Sequence, residues 1–222
     1  MRQRAIYAAG GMAVLLLGWG TAAMLRVPLA GSPGPVAKIV FFYAPAALAA
    51  MLAAAAALVA SLLYLRTKDL RYDALAVSAT EAALVFLASN LGTGCIWDHA
   101  IRGIWWTWDP AITSALVCGL VYASYLMLRR AMEEPTQRAV FSAVWSIFCF
   151  LDAPMVMAAV YRWRTEHPQP LLWAGVPAGW IGPLASNAAG MVSVGLVLLL
   201  ARFRQETTQR ELDSLRRTWH VM

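Results

Sequence analysis

The chain has 222 residues, 60% of them hydrophobic and 14% charged, with a formal net charge of +6 at pH 7. Soluble globular domains run nearer half apolar and about a quarter charged, so an ordinary soluble domain is excluded. The positive balance calls for no nucleic acid, because the basic residues follow a membrane-topology pattern beside anionic lipid.

Apolar residues gather in six blocks, at about 5–25, 38–65, 72–94, 111–129, 139–160 and 184–203. Each is near the roughly 20 residues that cross a bilayer as a helix, which predicts an all-α, six-span transmembrane domain over 1–203. The first block follows Arg2 and Arg4, like a signal peptide. It is too long for an h-region and five more blocks follow, so it is predicted to be a retained span. The second opens after the GSPGP cluster at 31–35 with FFYAPAA, then runs without a charge from Ala46 to Leu63.

The third block carries Glu81 and Asn90 and ends at the segment 95–110, where GIWWTWD begins at Gly103. Taken as a helix over 97–108, the large apolar residues Trp97, Ile101, Ile104, Trp105 and Trp108 fall on one face, with Asp98, His99 and Arg102 turned away. The segment is too short to span, so it is predicted to lie along the membrane interface as a Trp-rich amphipathic helix. Asp109-Pro110 then reads as N-cap and first helical residue of the fourth span. Trp at an interface belongs to aromatic belts in membrane proteins of every function. Here Trp97, Trp105, Trp106 and Trp108 crowd into one loop, which makes an apolar platform suited to a flat ligand. Arg102 is placed either to pair with Asp98 or to meet an anionic ligand group.

The fifth block holds Asp152 and Pro154, the sixth Asn187, and a basic tail of 204–222 follows. Glu81 and Asp152 are costly in lipid and read either as an ion path or as hydrogen-bonding groups between helices. With six spans, thirteen Lys and Arg fall on the side of the termini and of links 66–71 and 130–138. Arg26, Lys38, Arg102, Arg162 and Arg164 fall on the other, so both termini are predicted to be cytoplasmic. Cys95, Cys118 and Cys149 show no paired spacing and read as small hydrophobes.

The pattern T-G-C-I-W-x5-G-I-W-W-T-W-D-x3-T, from Thr93 to Thr113, resembles the tryptophan-rich "WWD" signature of haem-handling membrane proteins. From about residue 36 to 200 the chain is similar to the CcmC family, haem exporter protein C of cytochrome c maturation. That resemblance implies a bacterial inner-membrane protein of six spans that binds haem b on the WWD loop at the outer face. It implies transfer to a CcmE-like haem chaperone, beside CcmA-, CcmB- and CcmD-like subunits. The platform positions carry over as Trp97, Gly103, Trp105, Trp106, Trp108, Asp109 and Thr113. Arg102 stands where the family usually has another Trp, and Pro110 where it has Arg.

The family's two flanking ligand histidines have no counterpart. Tyr43 occupies the position of the first and Met157 that of the second, and both remain haem-ligand types. His99, inside the loop, and His167, after the fifth span, are further candidates for the iron. No nucleophile–base pair, phosphate loop or paired catalytic carboxylates is visible, so the prediction is a binding and transfer protein, not an enzyme. Two alternatives stand beside it: a scaffold subunit of the maturation complex without haem, and a small-molecule transporter using Glu81 and Asp152.

Overall fold

The computed structural model describes residues 2–28, 34–162 and 176–219. Six long helices make up nearly all of it: α1 (Arg2–Leu25), α2 (Val40–Thr67), α3 (Leu70–Arg102), α4 (Pro110–Ala131), α5 (Pro135–Arg162) and α6 (Ala178–Trp219). A 3-10 turn, Gly34–Ile39, leads into α2, and no strand occurs among the described residues. Stretches in α1, α2, α3, α4 and α6 are long and apolar enough to cross a membrane. α5, at 28 residues, matches them in length. Large apolar side chains such as Val117, Leu120, Met127, Phe148 and Leu151 point away from the bundle. This is the outside of a multi-pass membrane protein, where lipid is the solvent and each helix satisfies its own backbone.

One departure from the sequence expectations matters. The separate interfacial helix expected over 97–108 does not form. α3 instead runs straight on to Arg102, and the non-helical stretch is only 103–109. Nothing in 95–102 breaks a helix, and the first residue able to stop it cheaply is Gly103, whose φ of 74° forms a left-handed cap with its N–H bonded to the His99 carbonyl at 2.9 Å. The charged tail, whose composition allows the last helix to carry on, does so: α6 is one helix of 42 residues.

α2 and α3 form the centre. They are joined by the two-residue turn Lys68-Asp69, where Asp69 caps α3 by accepting from the Arg71 N–H at 2.9 Å. A stripe of small residues on α2 (Ala46, Ala49, Ala53, Ala57, Ala60) is buried, which lets neighbouring backbones come close. α2 packs on α3, α5 and α6, α4 packs on α3 and α5, and α1 lies mainly along α6. That last contact is backbone-close: a Cβ added at Gly190 would come within 2.7 Å of Leu17 Cγ. Ser186 Oγ adds a bond of 2.7 Å to the Leu16 carbonyl. In the link before α5, Glu134 accepts from the backbone N–H groups of Gln137 and Thr136, which holds its carboxyl below the ordinary glutamate range.

Polar groups tie the helices at both ends. Pro45 lies inside α2 and has no N–H to give the Phe41 carbonyl one turn earlier. Asn187 of α6, fully buried, supplies the missing donor from Nδ2 at 3.0 Å. Asn90 of α3 donates in the same way to the Tyr43 carbonyl at 3.0 Å. At the opposite end Arg129 of α4 grips Asp73 of α3 with both guanidinium nitrogens, at 2.6 and 3.0 Å. Arg210 of α6 reaches the same carboxylate at 2.7 Å and Glu206 at 2.7 Å. Glu81 pairs with Arg202 of α6, which assigns it to a bond between helices. Asp152 Oδ2 is buried without a hydrogen-bond partner.

Two outcomes follow from these contacts. Asn187→Ala orphans the Phe41 carbonyl and should cost about 1–3 kcal/mol. In a Pro45→Ala background, where residue 45 regains its N–H, the same change should cost less; thermal unfolding in detergent across the four-protein cycle measures the coupling. Breaking the buried Asp73–Arg129 pair by Arg129→Gln should cost roughly 3–5 kcal/mol, read in the same assay.

Candidate functional site

The site is built where α3 ends and α4 begins. The connecting residues 103–109 leave α3 through the left-handed Gly103 and enter α4 through Trp108, whose φ is also positive at 53°. A bulky aromatic in that region is strained, and such strain persists only where the surroundings fix it. Two buried carboxylates do the fixing. Asp109 caps α4, its Oδ1 accepting from the Ala111 N–H at 2.8 Å, with Pro110 in the first turn. Asp98, on the last turns of α3, accepts from Thr107 Oγ1 at 3.0 Å and faces Arg102 at 3.7 Å.

Asp98 therefore occupies a place that the helical wheel of 97–108 did not give it. That wheel turned it away from the apolar face with His99 and Arg102, whereas it is 2% exposed beneath the loop. The error has one cause. The loop folds back over α3 rather than extending it, which brings Thr107, nine positions on, against Asp98. Arg102 takes the first of its two expected roles, pairing with Asp98.

Held this way, the loop turns apolar area outward. Trp108 is 76% and Trp105 59% exposed, with Ile101 and Ile104 beside them in sequence also exposed. The His99 ring lies flat on Trp105, with centroids 4.1 Å apart and planes 4° from parallel. Trp106 meets Trp108 edge-on at 5.8 Å and 82°. Trp106 Nε1 and Thr113 Oγ1 are buried under the loop without hydrogen-bond partners. Trp97 is half-buried on α3.

Tyr43 reaches this region from α2. Its ring packs on Gly94 of α3, where a Cβ would stand 3.7 Å from Tyr43 Cε2, and Ile112 of α4 closes the same spot at 3.6 Å. The structure thus gathers Tyr43, His99, Arg102, Trp105, Trp106, Trp108 and Asp109 around one end of α2, α3 and α4. Met157 lies on α5, but its side chain, like all of His167, falls outside the described residues. Among the described residues no group of three or more His, Cys, Asp or Glu is arranged to hold a metal ion. The three cysteines are free, with Cys118 and Cys149 buried.

A family model for haem exporter protein C, CcmC, matches residues 1–218 of this sequence. The chain belongs to the CcmC family. It is 33% identical over 187 residues to the haem exporter protein C of Paracoccus denitrificans, covering 82% of this chain and 78% of that one. With the haem exporter protein C of Rhodobacter capsulatus it shares 29% over 210 residues, covering 89% and 82%. A shorter likeness, 31% over 107 residues, links it to the cytochrome c biogenesis protein CcsA of Prochlorococcus marinus (strain MIT 9303), covering 46% of this chain and 33% of CcsA. What sequence reasoning missed is the Thr107 bond to Asp98 and the Asn90 bond to the Tyr43 carbonyl. Their only sequence signal is the expense of a polar group beside a span.

Removing the Asp98 anchor tests the account of the loop. Asp98→Ala deprives Thr107 of its acceptor and Arg102 of its partner at a cost of about 1–3 kcal/mol. Trypsin cleavage after Arg102 in detergent should accelerate by about tenfold or more, as a loss of 1.4 kcal/mol corresponds to tenfold.

Proposed function

We propose that the chain handles haem for cytochrome c biogenesis by binding it on the WWD loop and passing it on. The observation that carries this reading is the pair of exposed indoles, Trp105 and Trp108, on a loop held by two buried carboxylates. Water-exposed indole area is costly unless something covers it, and a porphyrin is a flat apolar partner of the right kind. The relatives, a haem exporter protein C and a cytochrome c biogenesis protein, supply the ligand class. The orphaned Trp106 Nε1 and Thr113 Oγ1 add two polar handles beneath the same loop.

In this reading haem b is cargo and is held transiently by Trp97, Arg102, Trp105, Trp106, Trp108 and Asp109. All six helices cross a bacterial inner membrane with both termini in the cytoplasm, and the loop faces outward. The excess of Lys and Arg at the end of the bundle away from the loop supports that orientation. Delivery is to a CcmE-like chaperone, with CcmA-, CcmB- and CcmD-like subunits as neighbours. The Asp98–Thr107 and Asp109–Ala111 bonds keep the loop in place as cargo arrives and leaves, which keeps the ordering cost of binding low.

Hemin titrated into the detergent-purified protein should give a saturable one-to-one Soret band. An indole buries about 150–250 Å² of mostly apolar surface, so Trp108→Ala should raise Kd by about tenfold or more. A wild-type protein whose Soret absorbance only rises in proportion to added hemin, as free hemin does, would sink the proposal.

A further inference from the structure

We infer that His99, braced by Trp105, donates the axial nitrogen to the haem iron, so that the haem stands across Trp105 rather than lying on it. The inference rests on the haem reading above and concerns how the cargo is held. It starts from the stack itself: two rings 4.1 Å apart and 4° from parallel. His99 is exposed on the last turn of α3. It is the one histidine among the described residues, and neutral imidazole is a strong iron donor.

Coordination geometry then decides the orientation. A ring nitrogen binds a metal through a lone pair in the plane of the imidazole. The iron therefore lies in that plane, and the macrocycle, perpendicular to the Fe–N bond, lies roughly at right angles to it. Trp105 is parallel to the imidazole, so it too meets the macrocycle edge-on. Trp105 cannot lie flat against a haem bound by His99 while the stack persists. Its work is to fix the imidazole rotamer, as a partner orients a metal-binding histidine elsewhere. Trp108, the more exposed indole, is left to cover the porphyrin.

Among the described residues the other candidate donor, Tyr43, is less well placed. Tyr43 belongs to the floor beneath the loop, its ring lodged on Gly94 and its backbone held by Asn90. Arg102, three residues on, faces Asp98 at 3.7 Å and offers the iron no donor, because a guanidinium carries no free lone pair. The step itself is simple. The imidazole lone pair forms the Fe–N bond, a water on ferric iron leaves, and no electron is transferred.

The test is a hemin titration of the full-length protein in detergent, followed by absorbance and electron paramagnetic resonance. Wild type should show a nitrogen-ligated ferric spectrum. His99→Ala and the polar His99→Gln should both lose that signature while still binding hemin, several-fold more weakly. Imidazole added to hemin-loaded His99→Ala should restore the signature, which a merely structural role for His99 would not allow. Trp105→Leu should keep nitrogen ligation with broadened resonances, whereas Trp108→Leu should weaken binding with the ligand signature unchanged. Saturable hemin binding with the same spectrum in wild type, His99→Ala and His99→Gln would overturn the inference and leave the haem reading standing. Absence of saturable binding in wild type would overturn both.

Discussion

A proline in the first turns of α2 leaves the Phe41 carbonyl without its helical donor, in a place where lipid offers no water to replace it. The Asn187 amide fills that vacancy from α6, and the Asn90 amide bonds the Tyr43 carbonyl from α3. Three helices are thereby fixed to one another at one level of the bundle, and Asn187 cannot shift without orphaning a backbone oxygen. The separation of α2 and α3 at that level lets the Tyr43 ring rest on Gly94. The WWD loop is the continuation of α3 a few residues further on, so its height and direction inherit this contact.

On that base the loop is held against its own preferences. Trp108 takes a left-handed backbone that an aromatic residue adopts only under constraint. Its neighbours on both sides are tied down by carboxylates, Asp109 to the start of α4 and Asp98 to Thr107. The result is apolar surface displayed on a polar frame. The indoles face outward because the acids beneath them are satisfied inward, and the aromatic display would relax if those acids lost their partners.

Much of this was legible in the residues. Long uncharged runs announce helices, Asp109-Pro110 announces the start of α4, and the spacing of Asp98 and Arg102 allows the pair that forms. The burial of Asp98 was not legible, because it depends on 103–109 folding back, and periodicity assumes that a helix continues or stops without reversing. The Glu81–Arg202 and Asp73–Arg210 pairs join residues more than a hundred positions apart. Local pattern marks such groups as expensive but cannot name their partners. The Asn187–Phe41 bond is intermediate: Pro45 in a span predicts an orphaned carbonyl, and only the packing of α6 on α2 says which amide meets it.

α6 carries a further consequence. Asn187 binds α2 near one end of it, and Arg202 and Arg210 bind α3 near the other. The 23 rises from Asn187 to Arg210 span roughly 35 Å of unbroken helix at 1.5 Å per residue. A helix bolted at both ends to the same central pair behaves as a tie-rod: it resists shear between the two faces of the bundle. Any reagent that pries Arg210 from Asp73 would therefore load the Asn187 joint at the far face, through the helix alone.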